Sequence, residues 1–392
     1  MLVAWGIFLS FGVFFEPVLQ EFGWTRTAVS AAYSISIILS GFLGVIIGRL
    51  TDRFGPKPVM TGCGFFLGLG YLLMSQVNAI WQLYLFFGVI VGIGMSATFV
   101  PANSIVARWF VKRRTMMTGV VLSGNGVGMM IIPPLARWLV SSYGWRAAYT
   151  VVGIIALVLI ILAAQFLKRE PSQVGQLPYG AGEVKTEGLS LKARGFSFKE
   201  AIHTKQCWLL CVISFCIWFC VGIVMVHIVI HATGLGISAT SAAGILVLIG
   251  GVSIAGKVIM GGIADRIGNK SAFIISFIVM SASFFWLIVA REMWMLYVFG
   301  IILGFAYGAL SPLMSPMVAE LFGLTSHGAI FGVTFLAAEI GEAVGPVLTG
   351  SIFDVTSSYQ WAFLLCAVLS VVGIILSSLL RPADGEPSLT AA

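Results

Sequence analysis

Gly48-Arg-Leu-Thr-Asp52-Arg53-Phe-Gly55-Pro-Lys57 has a second copy in the chain, Gly261-Gly-Ile-Ala-Asp265-Arg266-Ile-Gly268-Asn-Lys270, at an offset of 213 residues. The same offset carries Gly23 onto Gly236, Gly119 onto Gly332, Gly128 onto Gly341 and Pro133 onto Pro346. Phe87-Gly88 and Gly92 match Phe299-Gly300 and Gly304 at 212, so one small gap separates the two registers. The chain reads as a duplication, with six apolar runs in each copy. An even number of runs per copy keeps both copies in the same orientation, which makes them parallel repeats.

The solvent of this fold is lipid. Hydrophobic residues make up 59% of the 392 residues and charged residues only 9%, where a soluble domain has about a quarter of its residues charged. About 20 apolar residues span the hydrocarbon core as a helix. Runs bounded by charge and turn residues predict spans at 2–20, 27–49, 58–76, 80–106, 114–138, 145–167, 206–232, 239–262, 271–290, 293–319, 328–353 and 359–380. The first run has no basic segment before it and no small-residue cleavage pattern. It therefore reads as a short first span, not a removable signal, with some N-terminal sequence expected to be missing or a late start.

Expected organisation is a six-helix half at 1–167, a linker at 168–205 rich in Pro, Gly and Ser, a second half at 206–382 and a tail at 383–392. With the N-terminus inside, seventeen Lys and Arg fall in inner segments, from Arg49 to Arg381, and only Arg26, Arg137, Arg146 and Arg291 fall outside. That bias places both termini in the cytoplasm and attributes the net charge of +7 to topology, not to nucleic acid. The six cysteines lie in apolar runs and match no zinc spacing, so neither a disulfide framework nor a metal site is expected.

Ionisable groups inside a bilayer are costly, and the repeat tests each one. Lys257 maps onto Gly44, Glu339 onto Gly126, Glu342 onto Met129 and His227 onto Phe14, so the fold itself requires none of these charges. At 1.5 Å rise per residue, Lys257 sits about 12 Å from the inner face and Glu339 about 17 Å. Asn125 reaches a similar level from the other half, and His227 lies further out. Phe331, Phe335, Glu339 and Glu342 follow at helical spacing and form one stripe. Lys257 and a glutamate could be a structural ion pair. Lys257 could instead seat an anion, with the carboxyls taking a proton and Tyr307 adding a hydroxyl.

The Gly-x-x-x-Asp-Arg-x-Gly-x-Lys copies resemble the signature loop of the major facilitator superfamily, with Asp52, Arg53, Asp265 and Arg266 read as gating charges just past helix ends. Ser10-Phe-Gly-Val-Phe-Phe, Glu21-Phe-Gly-Trp24 with Arg26, Arg108-Trp-Phe with Arg113-Arg114, and Tyr143-Gly-Trp145-Arg146 are similar to the monocarboxylate transporter family and its bacterial oxalate/formate antiporter-like relatives. The resemblance implies an all-α, twelve-helix secondary transporter, with no enzyme activity and no cofactor. It also implies a carboxylate-binding cation on helix eight, where Lys257 stands in place of the usual arginine. Animal members carry an aspartate four residues earlier, where this chain has Ser253, and a lysine near the outer end of helix one, where it has Glu16.

The expected function is proton-coupled transport of a small monocarboxylate of the lactate or pyruvate type. Substrate contacts are expected from Lys257, His227, Tyr307, Asn125 and Phe335, and proton coupling from Glu339 and Glu342. The expected partners are that anion, protons and the plasma or inner membrane, with the chain acting as a monomer. The alternatives are an oxalate/formate-type dicarboxylate exchanger, which the acids of span eleven disfavour, and an exporter of neutral or cationic compounds. A sensor or membrane enzyme lacks any catalytic constellation here. The topology has a direct check: a cysteine placed at Lys185 should stay unlabelled by an impermeant thiol reagent in intact cells and react once the membrane is opened.

Overall fold

The computed structural model describes residues 1–181 and 195–381, so Lys185 and the tail at 383–392 lie outside the described residues. The described residues form no strand; one isolated bridge pairs Phe110 with Tyr179. Among the described residues, eleven helices are long and apolar enough to cross a membrane. One of them, Arg114–Gln165, breaks at Gly144, whose φ of 81° and ψ of 161° no helix contains. Twelve spans result: α1 (Leu2–Phe22), α2 (Arg26–Phe54), α3 (Pro56–Met74), α4 (Ile80–Trp109), α5 and α6 on either side of Gly144, α7 (Lys205–Gly234), α8 (Ala239–Ile267), α9 (Asn269–Val289), α10 (Met293–Phe322), α11 (His327–Thr356) and α12 (Gln360–Leu379).

The hydropathy reading placed the ends of α2 and α8 at 49 and 262, and the structure moves both outward by five residues. The turns that carry Asp52-Arg53 and Asp265-Arg266 are too polar to count as a span, yet they continue the helix. Each helix stops only at a glycine with positive φ, Gly55 at 84° and Gly268 at 86°, a conformation that a Cβ would strain. The signature charges therefore stand in the last helical turn, not in a loop beyond it.

Packing follows the duplication. α1 lies on α5 as α7 lies on α11, α2 on α4 as α8 on α10, and α3 on α6 as α9 on α12. Without water to drive helices together, close backbone approach supplies the contact, and small residues permit it. The halves meet along α2–α11 and α5–α8. A Cβ on Gly48 would collide with the Gly328 carbonyl oxygen, and one on Gly119 with that of Lys257. From the signature ends these contacts climb to Gly41 against Glu339 and Gly126 against Ile254. Higher on α8, Gly250 and Gly251 have nothing within 4 Å of an added Cβ. The halves are thus closed on each other from the signature end to mid-helix.

The linker fastens the same end. Its start hydrogen-bonds to the α4–α5 turn, with the Val111 and Lys112 amides donating to the Tyr179 carbonyl at 3.0 and 3.1 Å. Its end bonds to the α10–α11 turn, with the Phe196 amide donating to the Phe322 carbonyl at 3.0 Å.

Candidate functional site

Two clusters of charge stand out, one at the signature end and one at mid-depth. At the signature end, Asp52 reaches across to the other half. Its Oδ1 accepts from the Gly328 amide at 3.2 Å and its Oδ2 from the Ala329 amide at 3.0 Å, so it caps the first turn of α11. Asp265 does the same for α5, accepting from the amides of Thr115 at 2.9 Å and Met116 at 3.0 Å. The amides are related by the same 213-residue offset as the acids. A helix start carries unpaired N–H groups and the positive end of the macrodipole, which is where a carboxylate binds best.

The side-chain partners differ between the copies. Arg108 of α4 donates to Asp52 Oδ1 at 3.0 Å and to the Leu324 carbonyl at 2.8 Å, with Glu170 Oε1 at 3.4 Å. Its counterpart at the 212 offset is Glu320 of α10, held by the Asn269 amide group at 2.6 Å; Asn269 also accepts from the Thr115 hydroxyl at 2.8 Å. These residues line a cavity of about 770 Å³ that includes Lys112, Arg114, Asp265 and Arg266. Buried between the halves, the His327 ring lies 3.0 Å from Ser104 Oγ through Nδ1 and 3.0 Å from the Ser315 carbonyl through Nε2.

Arg53 and Arg266, expected beside the aspartates as gating charges, are exposed and form no ion pair among the described residues; Arg53 lies over the Phe54 ring at 5.1 Å. Adjacent helical residues point apart by about 100°, so a neighbour in sequence is a poor partner for the aspartate. The sequence reading gives Arg108 as an inner-face charge and part of a family-like Arg-Trp-Phe stretch, not as a partner of Asp52, and has no role for Glu320 or His327. The repeat registers contained the signal, because they align Arg108 with Glu320 and Arg114 with His327.

At mid-depth, Lys257 is 4% exposed and Glu339 7%. Lys257 Nζ lies 3.5 Å from Ser253 Oγ, one turn earlier on α8, and 5.5 Å from the centre of the Tyr307 ring. Trp218 of α7 meets Tyr307 edge-on at 5.8 Å. Glu339 packs its Cβ and Cγ against Gly41 of α2, each 3.0 Å from an added Cβ there. Glu342, half-buried one turn on, lays its backbone against Gly222 of α7. Among the described residues, neither glutamate has a hydrogen-bond or ion-pair partner, and Lys257 forms no ion pair.

The remaining sequence candidates sit around this core. Phe335 stacks on Phe99 of α4 at 5.1 Å and closes the site towards the signature end. Asn125 precedes Gly126, which packs on Ile254, and its Oδ1 is buried without a partner. His227 is displaced from the group: its Nε2 bonds the Pro346 carbonyl at 3.0 Å, and its ring lies 5.4 Å from Tyr359 towards the far end of α7.

Twelve helices in two parallel repeats, mutually capped at one end and enclosing unpaired charge at mid-depth, define a transporter. The chain belongs to the Major Facilitator Superfamily, whose family model matches residues 1–269 and 210–391. Among curated proteins it is 28% identical to monocarboxylate transporter 13 of Rattus norvegicus, over 95% of this chain and 84% of that one. It is 27% identical to monocarboxylate transporter 4 of Gallus gallus, over 91% and 75%. Among solved structures, the fucose:proton symporter of E. coli superposes with a TM-score of 0.73 at 14% identity, over 96% of both chains. The human organic anion transporter MFSD10 superposes at 0.72 and 17% identity, over 96% of this chain and 98% of that one. The structural matches establish the fold, and the sequence matches establish kinship with monocarboxylate transporters. The chain is a membrane transporter, not an enzyme.

The capping geometry generates a testable outcome. Asp52→Asn and Asp265→Asn each remove a charge from a helix start, a contribution of roughly 0.3–1 kcal/mol or more when partly buried. Each should shift the population away from closure at the signature end. Labelling of a cysteine at Ser104, buried in the closed interface, should rise in both variants; labelling equal to the parent would show that the caps do not hold the end shut.

Proposed function

We propose that the chain moves small monocarboxylates together with protons by alternating access, with Lys257 binding the substrate carboxylate. The observation that carries the reading is an ammonium group buried in the membrane-spanning core with no counter-ion among the described residues, in a chain whose relatives are named monocarboxylate transporters. A buried cation of this kind needs an anion, and a substrate carboxylate is one. Glu339 and Glu342 are the groups placed to take the coupled proton. Tyr307, Asn125 and Phe335 would shape the site, while His227 would act from further out. In this reading Asp52 and Asp265 hold closed the cytoplasmic end, where the charge bias also puts both termini. A dicarboxylate exchanger fits less well, since a second carboxylate would face Glu339 and Glu342.

Purified protein in proteoliposomes tests the assignment. Lys257→Gln should lower affinity for lactate or pyruvate by roughly 10- to 100-fold, the size of a lost charge-assisted hydrogen bond. Lys257→Arg should keep part of it with altered geometry. Glu339→Gln should abolish the stimulation of uptake by an inward proton gradient and leave counterflow exchange. Lys257→Gln combined with Glu339→Gln separates function from structure: parental substrate affinity in that double variant would mean that the lysine only balances a glutamate.

A further inference from the structure

The second signature copy has a cavity where the first is filled. Beside Asp52, the Arg108 guanidinium bridges the halves by donating to that carboxylate and to the Leu324 carbonyl. Beside Asp265 the register puts Glu320 in place of the arginine, and a cavity of about 770 Å³ lies between α5 and α8. Four basic side chains, Lys112, Arg113, Arg114 and Arg266, line it against two acids. Both acids are already engaged, Asp265 by the Thr115 and Met116 amides and Glu320 by the Asn269 side-chain amide at 2.6 Å. Arg114 turns its Nε back onto the Phe110 carbonyl at 2.8 Å, and none of the three arginines forms an ion pair among the described residues.

Topology alone would be served by basic residues anywhere at this end of the bundle. At the 213-residue offset Lys112, Arg113 and Arg114 fall on Thr325, Ser326 and His327, so the turn into a capped helix does not need three cations. Arg113 also holds φ at 60°, a left-handed conformation that residues other than glycine rarely adopt. The deeper wall of the cavity is apolar, formed by Met116 of α5 with Val258, Ile259 and Ile263 of α8. Ile259, Ile263 and Ile267 are exposed at four-residue spacing, one stripe that a spanning helix turns to lipid. From Ile259 to Arg266 α8 rises about 10 Å, enough to pass from the hydrocarbon into the interfacial layer. The cavity is therefore basic at the helix ends, apolar further in, and adjoins a lipid-facing surface. Its volume takes a drug-sized ligand, far more than a bare phosphate.

We propose that this cavity binds an anionic phospholipid of the leaflet at the signature end. Arg113, Arg114 and Arg266 hold its phosphate group, and its acyl chains lie along Ile259 and Ile263. Arg113 and Arg114 belong to the first half and Arg266 to the second, so the lipid bridges the halves only while the signature end is closed. It supplies on the α5–α8 seam the link that Arg108 supplies on the α2–α11 seam. Anionic lipid in that leaflet then shifts the carrier towards closure at the signature end.

The test places the full-length protein, with a cysteine at Ser104 in the closed interface, in phosphatidylcholine vesicles with or without phosphatidylglycerol. Phosphatidylglycerol should slow labelling of that cysteine roughly fivefold, the attraction of one basic side chain to an anionic headgroup. Arg113→Gln combined with Arg266→Gln should cancel the slowing; both side chains are exposed, so the change leaves the packing intact. Lys199→Gln combined with Lys205→Gln, which removes two exposed charges at the same end of the bundle, should retain it. Labelling indifferent to phosphatidylglycerol before any arginine is changed overturns the proposal. Equal slowing in the arginine variant, or its loss in the lysine variant, also overturns it, since either would mean a general surface-charge effect. Equal protection by glycerol 3-phosphate in phosphatidylcholine vesicles would make the occupant a soluble phosphate ester and overturn the lipid.

Discussion

Closure of this molecule at the signature end depends on a carboxylate reaching across the seam to cap a helix of the opposite half. Asp52 takes two amides of α11 and Asp265 two amides of α5. Such bonds draw on the unpaired N–H groups of a helix start and on its dipole together. They are possible only because the backbones come close, and the backbones come close only because Gly48, Gly119, Gly261 and Gly328 have no side chain. Cap and glycine seam are one device. With it engaged, α2–α11 and α5–α8 are held together below mid-depth, and the close contacts end at the level of Glu339 and Ile254. Small residues confer contact without covalent or buried ionic locks, so the same seam can part.

The two caps share a backbone geometry and differ in charge. Asp52 has an arginine beside it, Arg108, itself tied to Leu324 and Glu170. Asp265 has Glu320 at the corresponding place, with Asn269 spanning the gap to Thr115. One copy is a compact pair closed by a cation. The other is an open cavity in which acid and base are spread over several residues. The amide pattern is common to both copies, and the side chains around it are not. The strength of closure is therefore divided unevenly between the α2–α11 seam and the α5–α8 seam.

The fold was legible almost completely, because lipid imposes long apolar runs and the 213-residue register repeats them. Helix ends were less so. Hydropathy ends a span where charge begins, whereas the helix ends where its hydrogen bonds do, at Gly55 and Gly268. The aspartates were legible as a pair but not as caps, since which amides they meet is a matter of tertiary approach between residues 276 and 150 positions apart. At mid-depth, the mapping of Lys257, Glu339 and Glu342 onto uncharged positions singled out three groups that the structure buries. It left open whether they paired, because pairing depends on how α8 and α11 are rotated.

The asymmetry of the central charges has a mechanical sense. Lys257, Tyr307, Glu339 and Glu342 all belong to the second half, while the first half faces this region with Gly41, Gly119, Asn125 and the ring of Phe99. If acid and base stood on opposite halves, each opening would separate a salt bridge in a medium of low dielectric, at a cost of several kcal/mol. With the ionisable groups on one rigid half and small or aromatic surfaces on the other, the halves can part without breaking an ion pair at the site. The charge-assisted bonds that must break lie at the signature end. There, Asp265 is exposed and water can take over its hydrogen bonds as α5 withdraws.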